Sequence, residues 1–308
     1  MTAQESDSRH DLPVIIIGAG FSGLTLAQGL HKHGISFVVF KQDHLSYRSG
    51  GHRFRIDTDG SEALYETIPN ELGDLFSRTC PKLINRSPTF ADPETMELLD
   101  FPKRPQKPGR GPSPIDRTWI LQLLTIGIED RIHRGKKLSS YELNPDGLPD
   151  GKDYVYWSLT TETFDDKLRS PEELQRFVLD KTKTWDSKFR TLFDYADWNL
   201  AVRARLYSSK PDIGDFSRGD GRVVLIGDAA HPMTPQGGLG GNTAVKGAAE
   251  LCRTITQEGI SSKSMAGFEE RLRKLAKDAI DMSFKTAKFM VAGKDVEEYV
   301  EVTGDDIP

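Results

Sequence analysis

Hydrophobic positions along this chain alternate between the periods of strand and helix. Val14-Ile15-Ile16-Ile17 is an unbroken β-branched run, which predicts a strand buried on both faces of a parallel sheet. It leads into Gly18-Ala19-Gly20-Phe21-Ser22-Gly23 and a helical pattern to about His33, with Gly34 as the stop. A second strand, Ile35 to Phe40, completes a βαβ unit over 13–41. Residues 61–80 predict one helix, with Leu64, Ile68, Leu72 and Leu75 on a stripe, and Asp116 to Arg131 predict another. Between them, Phe101 to Pro114 reads as a proline-rich basic connector. Tyr154 to Thr160 (YVYWSLT) predicts a strand, and a helix over Pro171 to Lys183 has Ser170 as its cap and Pro171 in its first turn. Arg222 to Ile226 has the composition of a buried parallel strand and is followed by GDAAHPMTPQGGLGGN and a helix from about Thr243 to Glu258. The last helix is predicted from about Met265 to Val291, with Met282, Phe284, Phe289 and Met290 expected to pack on the body.

The first glycine cluster carries chemistry because of where it stands. A buried strand enters Gly-x-Gly-x-x-Gly and a helix leaves it, which is the context of a dinucleotide site. Gly18 permits the tight turn, Gly20 lets a pyrophosphate approach the backbone, and Gly23 lets helix and strand pack closely. The helix end then offers free N–H groups and a positive dipole to phosphates.

Composition narrows the classes without adding to the site. The chain has 308 residues and a formal net charge of −5, which argues against a nucleic-acid surface. Its two cysteines, Cys80 and Cys252, have no metal-like spacing and give no disulfide framework, as expected for a reducing, cytoplasmic setting. The run at Val14–Ala19 is far too short to span a bilayer, so no membrane role is expected. Residues 1–11 read as a disordered tail and 293–308 as an acidic one.

The second glycine cluster resembles a known family. Val223-Val224-Leu225-Ile226-Gly227-Asp228-Ala229-Ala230-His231-Pro232, continuing MTPQGGLGGN, is similar to the GD motif of the FAD-dependent aromatic hydroxylases, the single-component flavin monooxygenases. The resemblance implies that Asp228 meets the ribityl chain of FAD, that Pro232 lies beside the flavin ring, and that Gly238, Gly241 and Asn242 bring backbone N–H groups towards it. Two other stretches resemble fungal members. Arg117-Thr118-Trp119-Ile120-Leu121 implies that Arg117 reaches the FAD phosphates. Arg48 to Ile56, with Gly51, His52 and Arg55, resembles the segment that lines the flavin. His52 and His231 are candidates for acid–base work by position, although a structural histidine is the blander reading of each.

Three departures bear on activity. The residue that closes the second strand, 23 positions after Gly18, is normally an acid that accepts from the adenosine ribose; here it is Lys41. An ammonium donates but cannot accept, so either FAD is held more weakly or the position suits a 2′-phosphate and hence NADP. Next, Asn144-Pro145-Asp146-Gly147 passes almost directly to Tyr154, whereas the family places several strands between such segments. Finally, Gly247 occupies the place of an aspartate in the helix after the GD motif. The expected fold is therefore α/β: a Rossmann-like FAD-binding domain (12–145 with 211–292), a reduced β-sheet substrate domain (150–210) and a C-terminal helix. The resemblance implies an FAD-dependent monooxygenase-like oxidoreductase of secondary metabolism. It would use NADPH or NADH as reductant and act on a small aromatic, polyketide or terpenoid molecule. The alternatives are a non-redox descendant that keeps the flavoprotein cavity and a plain NADP-binding reductase. A homodimer is one way to cover sheet edges left bare by the shortening.

Overall fold

The computed structural model describes residues 12–42, 53–80, 90–99, 113–134, 136–137, 140–141, 159, 170–201, 206–216, 221–291 and 293–302. They divide into two compact units, one formed by 1–83, 108–149 and 206–308, the other by 84–107 and 150–205.

The larger unit begins with β1 (Val14–Ile17), α1 (Phe21–Lys32) and β2 (Phe37–Phe40). These are followed by β3 (Arg53–Ile56), α2 (Thr58–Thr67), α3 (Asn70–Thr79), β6 (Ser113–Asp116), α4 (Arg117–Leu123) and β7 (Ile132–His133). Two short strands, β8 (Lys136–Lys137) and β9 (Ser140–Tyr141), pair with each other, and α7 (Gly240–Glu258) and α8 (Ser262–Val291) close the unit. The main sheet is parallel with order β1-β2-β7, the arrangement a βαβ crossover builds. Beside it, β3 and β6 form an antiparallel pair in which Arg55 faces Pro114. The smaller unit contains the two-stranded pair β4 (Phe90–Ala91) and β5 (Leu98–Leu99), with α5 (Pro171–Lys181) and α6 (Ser187–Asp194). Helix α5 starts as its sequence predicts. The Ser170 hydroxyl accepts from the Glu173 N–H, and the Glu173 carboxylate accepts from the Ser170 N–H, a reciprocal capping box.

Helix α1 is the hub of the core. Every residue from Ser22 to Leu30 is buried, so this helix has no solvent face over nine consecutive positions. Its small residues allow that. A side chain at Gly29 would come within 2.6 Å of the Cys252 Sγ on α7 and 2.7 Å of the Thr67 Cγ2 on α2. Gln28 is also fully buried, and its amide nitrogen donates to the carbonyls of Leu124 (2.9 Å) and Ile126 (3.0 Å), satisfying the chain where α4 ends. Gly247, read from sequence as a lost tether, has a packing role: a Cβ there would stand 2.9 Å from the Leu272 Cδ1 of α8.

Several expectations need correction. The single helix over 61–80 is two helices, because Ile68 turns extended before Pro69 and Pro69 supplies no N–H. The helix expected to reach Arg131 stops at Leu123; Gly127 lies beyond it at φ +80°, and residues 129–131 form only a 3-10 turn. Ser113 and Pro114 belong to β6 and not to the connector. Residues 222–226 do not form a strand, although Val224, Leu225 and Ile226 pack against the core. Nor is β1 buried on both faces: Ile15 and Ile17 are 61% and 64% exposed. Met282, Phe289 and Met290 are exposed, and of the expected packing group Phe284 meets the Tyr299 ring at 5.6 Å in a tilted contact. The strand predicted at 154–160 and the start of the 101–114 connector lie outside the described residues.

Burial separates the two faces of this unit energetically. Leu30→Ala, at a fully buried position of α1, is expected to cost about 2–5 kcal/mol. Ile17→Thr, on the exposed face of β1, should change stability by no more than about 0.5 kcal/mol. Urea denaturation of the two variants checks the contrast.

Candidate functional site

The two glycine clusters, about two hundred residues apart in sequence, meet at one place. Gly18 sits past the end of β1 at φ +107°, and its N–H donates to the Phe40 carbonyl at 2.8 Å, pinning the turn to the end of β2. A side chain at Gly23 would collide with the Gly18 carbonyl oxygen, so helix and turn close up only because this position is glycine. Gly20 is the N-cap of α1 and has open space where a Cβ would stand. No side chain caps this helix end, and its first turn holds no acid. Its N–H groups and positive dipole therefore face outward uncompensated by the protein.

The GD segment lies against that end. Gly227, at φ +60°, has its Cβ position 3.1 Å from the Ser22 Cβ and 3.9 Å from the Ala244 Cβ. The Ser22 hydroxyl crosses from α1 to donate to the Ala244 carbonyl in α7 at 3.1 Å, a buried bond. Helix α7 also begins without a side-chain cap or an acid in its first turn. Two helix N-termini and the Gly227–Ala229 turn are thus brought together, and Asp228 and Ala229 are exposed on the turn while Gly227 is buried. Asp228 makes no hydrogen bond or ion pair with any described residue, so its carboxylate can accept from an incoming polyol.

The side chain of Asn242 fastens the site together. Its side chain is buried and committed: the carbonyl oxygen accepts from the Asp57 N–H at 2.8 Å, and the amide nitrogen donates to the Arg55 carbonyl at 2.9 Å and the Gly238 carbonyl at 2.7 Å. It ties β3, the glycine loop and α7 into one piece. Arg55 is exposed on β3, and Arg117 is half-buried at the first position of α4, beyond the strand paired with β3. The glycine loop is fastened from its other side by α8. The Thr234 and Ser283 hydroxyls lie 2.7 Å apart, and Ser283 donates to the Thr234 carbonyl at 3.1 Å. Gly238 at φ +66° has open space at its Cβ position, and Gly241 is half-buried in the first turn of α7. Pro232 is half-buried, with its carbonyl accepting from the Ser209 N–H at 2.8 Å.

His231 is buried completely, and neither ring nitrogen has a hydrogen-bond partner. Burial holds its pKa below the ordinary 6.5 despite the nearby Asp228 carboxylate, so it is a neutral group packed under the turn. Lys41 lies half-buried past the end of β2, and its N–H donates to the His133 carbonyl at 2.9 Å. Gly51 and His52 lie outside the described residues. Sequence reading missed Ser22 and Ser283. A serine in a glycine motif or on a long helix carries no local sign of a contact 222 or 49 residues away.

Comparisons with known proteins agree with this arrangement. Residues 16–66 match the NAD(P)-binding Rossmann-like domain and residues 215–281 the FAD binding domain. The chain is homologous to the FAD-dependent monooxygenases and has their flavoprotein fold. Among its relatives is the dual O-methyltransferase/FAD-dependent monooxygenase elcB of Phaeosphaeria nodorum, 25% identical across 94% of this chain and 47% of that protein. The FAD-dependent monooxygenase penM of Penicillium crustosum is also 25% identical, across 90% of this chain and 78% of its own length. The crystal structure of Klebsiella pneumoniae HpxO with FAD and uric acid superimposes with a TM-score of 0.70 at 15% identity, covering 96% of this chain and 92% of that one. The chain spans about half the length of curated relatives such as elcB. The elcB alignment runs over 441 positions, whereas 94% of this chain is about 290 residues. About 150 positions therefore have no counterpart here.

Removing the Asn242 tie should be felt in folding. Asn242→Ala deletes three hydrogen bonds around a buried site, an expected loss of about 2–3 kcal/mol by chemical denaturation. His231 should make stability depend on pH. Its folded pKa is depressed, so below the unfolded value near 6.5 the unfolded chain takes up the proton more readily and stability falls as pH falls. His231→Phe should flatten that part of the curve of denaturation midpoint against pH.

Proposed function

We propose that this chain is an FAD-binding, monooxygenase-like oxidoreductase acting on a small molecule. The observation that carries the reading is the seating of the Gly227–Asp228 turn on the Ser22 end of α1, because it joins two motifs that each bind one end of the same cofactor. The chain's own atoms fit FAD at two places. Gly18 and Gly20 leave open space before the uncapped end of α1, where a pyrophosphate would receive backbone N–H groups. Asp228 would accept from the ribityl hydroxyls, and Gly238 with the α7 end would stand beside the flavin. Arg117 is the cation proposed to face the phosphates, and Arg55 stands on the segment proposed to line the flavin. At the adenosine ribose the fit is poorer, since Lys41 cannot accept from the diol.

Bound FAD supplies the redox chemistry, with NADPH or NADH as the source of hydride. The protein orients the substrate and keeps the glycine loop rigid through Asn242, Thr234 and Ser283. Among the described residues there is no evident general base: His231 is buried away from solvent, which favours a structural role. By analogy with the relatives, the substrate is a small aromatic, polyketide or terpenoid intermediate of secondary metabolism.

A second reading is a non-redox descendant that keeps the cavity and catalyses a rearrangement or only binds a metabolite. It is favoured by the roughly 150 alignment positions without counterpart and by Lys41. No helix among the described residues is long and apolar enough to cross a membrane.

The spectrum of the purified protein separates the two readings. The first expects flavin absorbance in the blue and substrate-dependent oxidation of NAD(P)H; a colourless protein that does not bind added FAD sinks it. A variant sharpens the test. A Cβ at Gly20 meets nothing within 4 Å, so Gly20→Val should cost the cofactor-free protein no more than the loss of a favourable N-cap residue, about 1 kcal/mol. It should nevertheless weaken FAD binding at least tenfold, measured by quenching of flavin fluorescence.

A further inference from the structure

The chain re-enters the larger unit at Leu206 and runs past the second glycine cluster. The Ser209 N–H donates to the Pro232 carbonyl at 2.8 Å, which lays this segment along the stretch that follows the Gly227–Ala229 turn. Further on, α8 holds the chain from its own side chains. The Arg273 Nε donates to the Ile213 carbonyl at 2.9 Å, and the Phe216 N–H donates to the buried Glu269 carboxylate at 3.0 Å. Over 206–210, two polar contacts among the described residues reach another element: the Ser209 bond and an ion pair between Lys210 and Glu301.

Glu301 belongs to a strap that folds back along the end of α8. The Gly293 N–H donates to the Ala287 carbonyl at 3.1 Å, and the Lys288 Nζ donates to both Asp295 carboxylate oxygens, at 2.8 and 2.7 Å. A 3-10 turn over Val296–Glu298 follows. Then comes Tyr299, whose ring meets Phe284 and whose hydroxyl accepts from the Lys294 N–H at 2.9 Å. The strap buries little: Val300 is 87% exposed, and the side chains of Lys210 and Glu301 are both more exposed than buried. Exposed ion pairs add little to global stability and weaken with salt. Contacts of that strength open locally at small cost, while the core stays folded. The glycine loop is thus gripped by α8 twice, directly where Ser283 meets Thr234 and indirectly where the strap holds Lys210 beside the Ser209–Pro232 bond.

We propose that residues 293–302 form a clasp on the Pro232 side of the cofactor site, with Lys210 and Glu301 as its positioning residues. Closed, the ion pair keeps Ser209 on the Pro232 carbonyl and holds the chain that runs beside the flavin in place. Open, it frees 206–210 to leave Pro232, and cofactor exchange follows that opening. The proposal rests on the FAD reading for what lies beside Pro232, whereas the clasp itself rests on the contacts of the strap.

Two measurements on the intact chain test this: hydrogen exchange of the amides of 206–210, and the rate of FAD release, followed by recovery of flavin fluorescence. Lys210→Gln and Glu301→Gln should each speed both by threefold or more. Lys210→Glu combined with Glu301→Lys, which restores the pair with its charges exchanged, should return both to within twofold of the starting chain. Raising salt should speed exchange in the starting chain and have little further effect in the two glutamine variants. Lys183→Gln, which breaks an equally exposed pair with Asp180, should change neither rate, and thermal melting should show every variant folded. Exchange that is unaltered in both glutamine variants, or that the exchanged pair fails to restore, overturns the proposal. Faster exchange with unaltered FAD release overturns it as well and leaves the FAD reading standing. A chain that binds no FAD, yet shows faster exchange with rescue, sinks the FAD reading and sustains the clasp.

Discussion

The contact between α1 and α7 is the constraint on which the rest of the larger unit depends. Helix α1 is buried from Ser22 to Leu30, and the partner that covers it comes from more than two hundred residues later in the chain. That approach is possible because small groups line it: Ser22 and Gly29 on one side, Ala244 and Cys252 on the other. Close backbone approach lets the Ser22 hydroxyl reach the Ala244 carbonyl and lets Gly227 fit against both helices. Larger side chains at these positions would separate the helices and the motifs with them.

From that contact follows the electrostatics of the site. Two helix N-termini without side-chain caps are directed to one region, so their positive ends add where an anionic cofactor would lie. Leaving N–H groups uncapped lowers helix stability, and an acid in either first turn would offset it. The protein places none there. Asp228 is the exposed carboxylate on the turn between the two helices, suited to hydroxyl groups more than to phosphate.

The other side of the sheet is less complete. β1 is the terminal strand in the order β1-β2-β7, and its outer face exposes Ile15 and Ile17. The β-branched run is the composition of a strand covered on both faces, so here local sequence and observed burial disagree.

The sequence by itself determined the βαβ start, the glycine turn, the caps at Ser170 and Pro171, and the presence of a second, flavin-type glycine cluster. Each of those depends on neighbours within a few residues, where turn chemistry and periodicity act. It also exposed Lys41 as a cation where an acid is expected, since that needs only a count from Gly18. Tertiary structure alone decided how those pieces are used. Pro69 divided a continuous apolar stripe into α2 and α3, and the Gln28 amide ended α4 early by taking the carbonyls of Leu124 and Ile126. The Asn242 side chain spends its amide on Asp57, Arg55 and Gly238. Gly247 proved to be room for Leu272. Those outcomes depend on contacts between residues far apart in the chain, whose strength is set by shape and burial and leaves no mark on the local pattern.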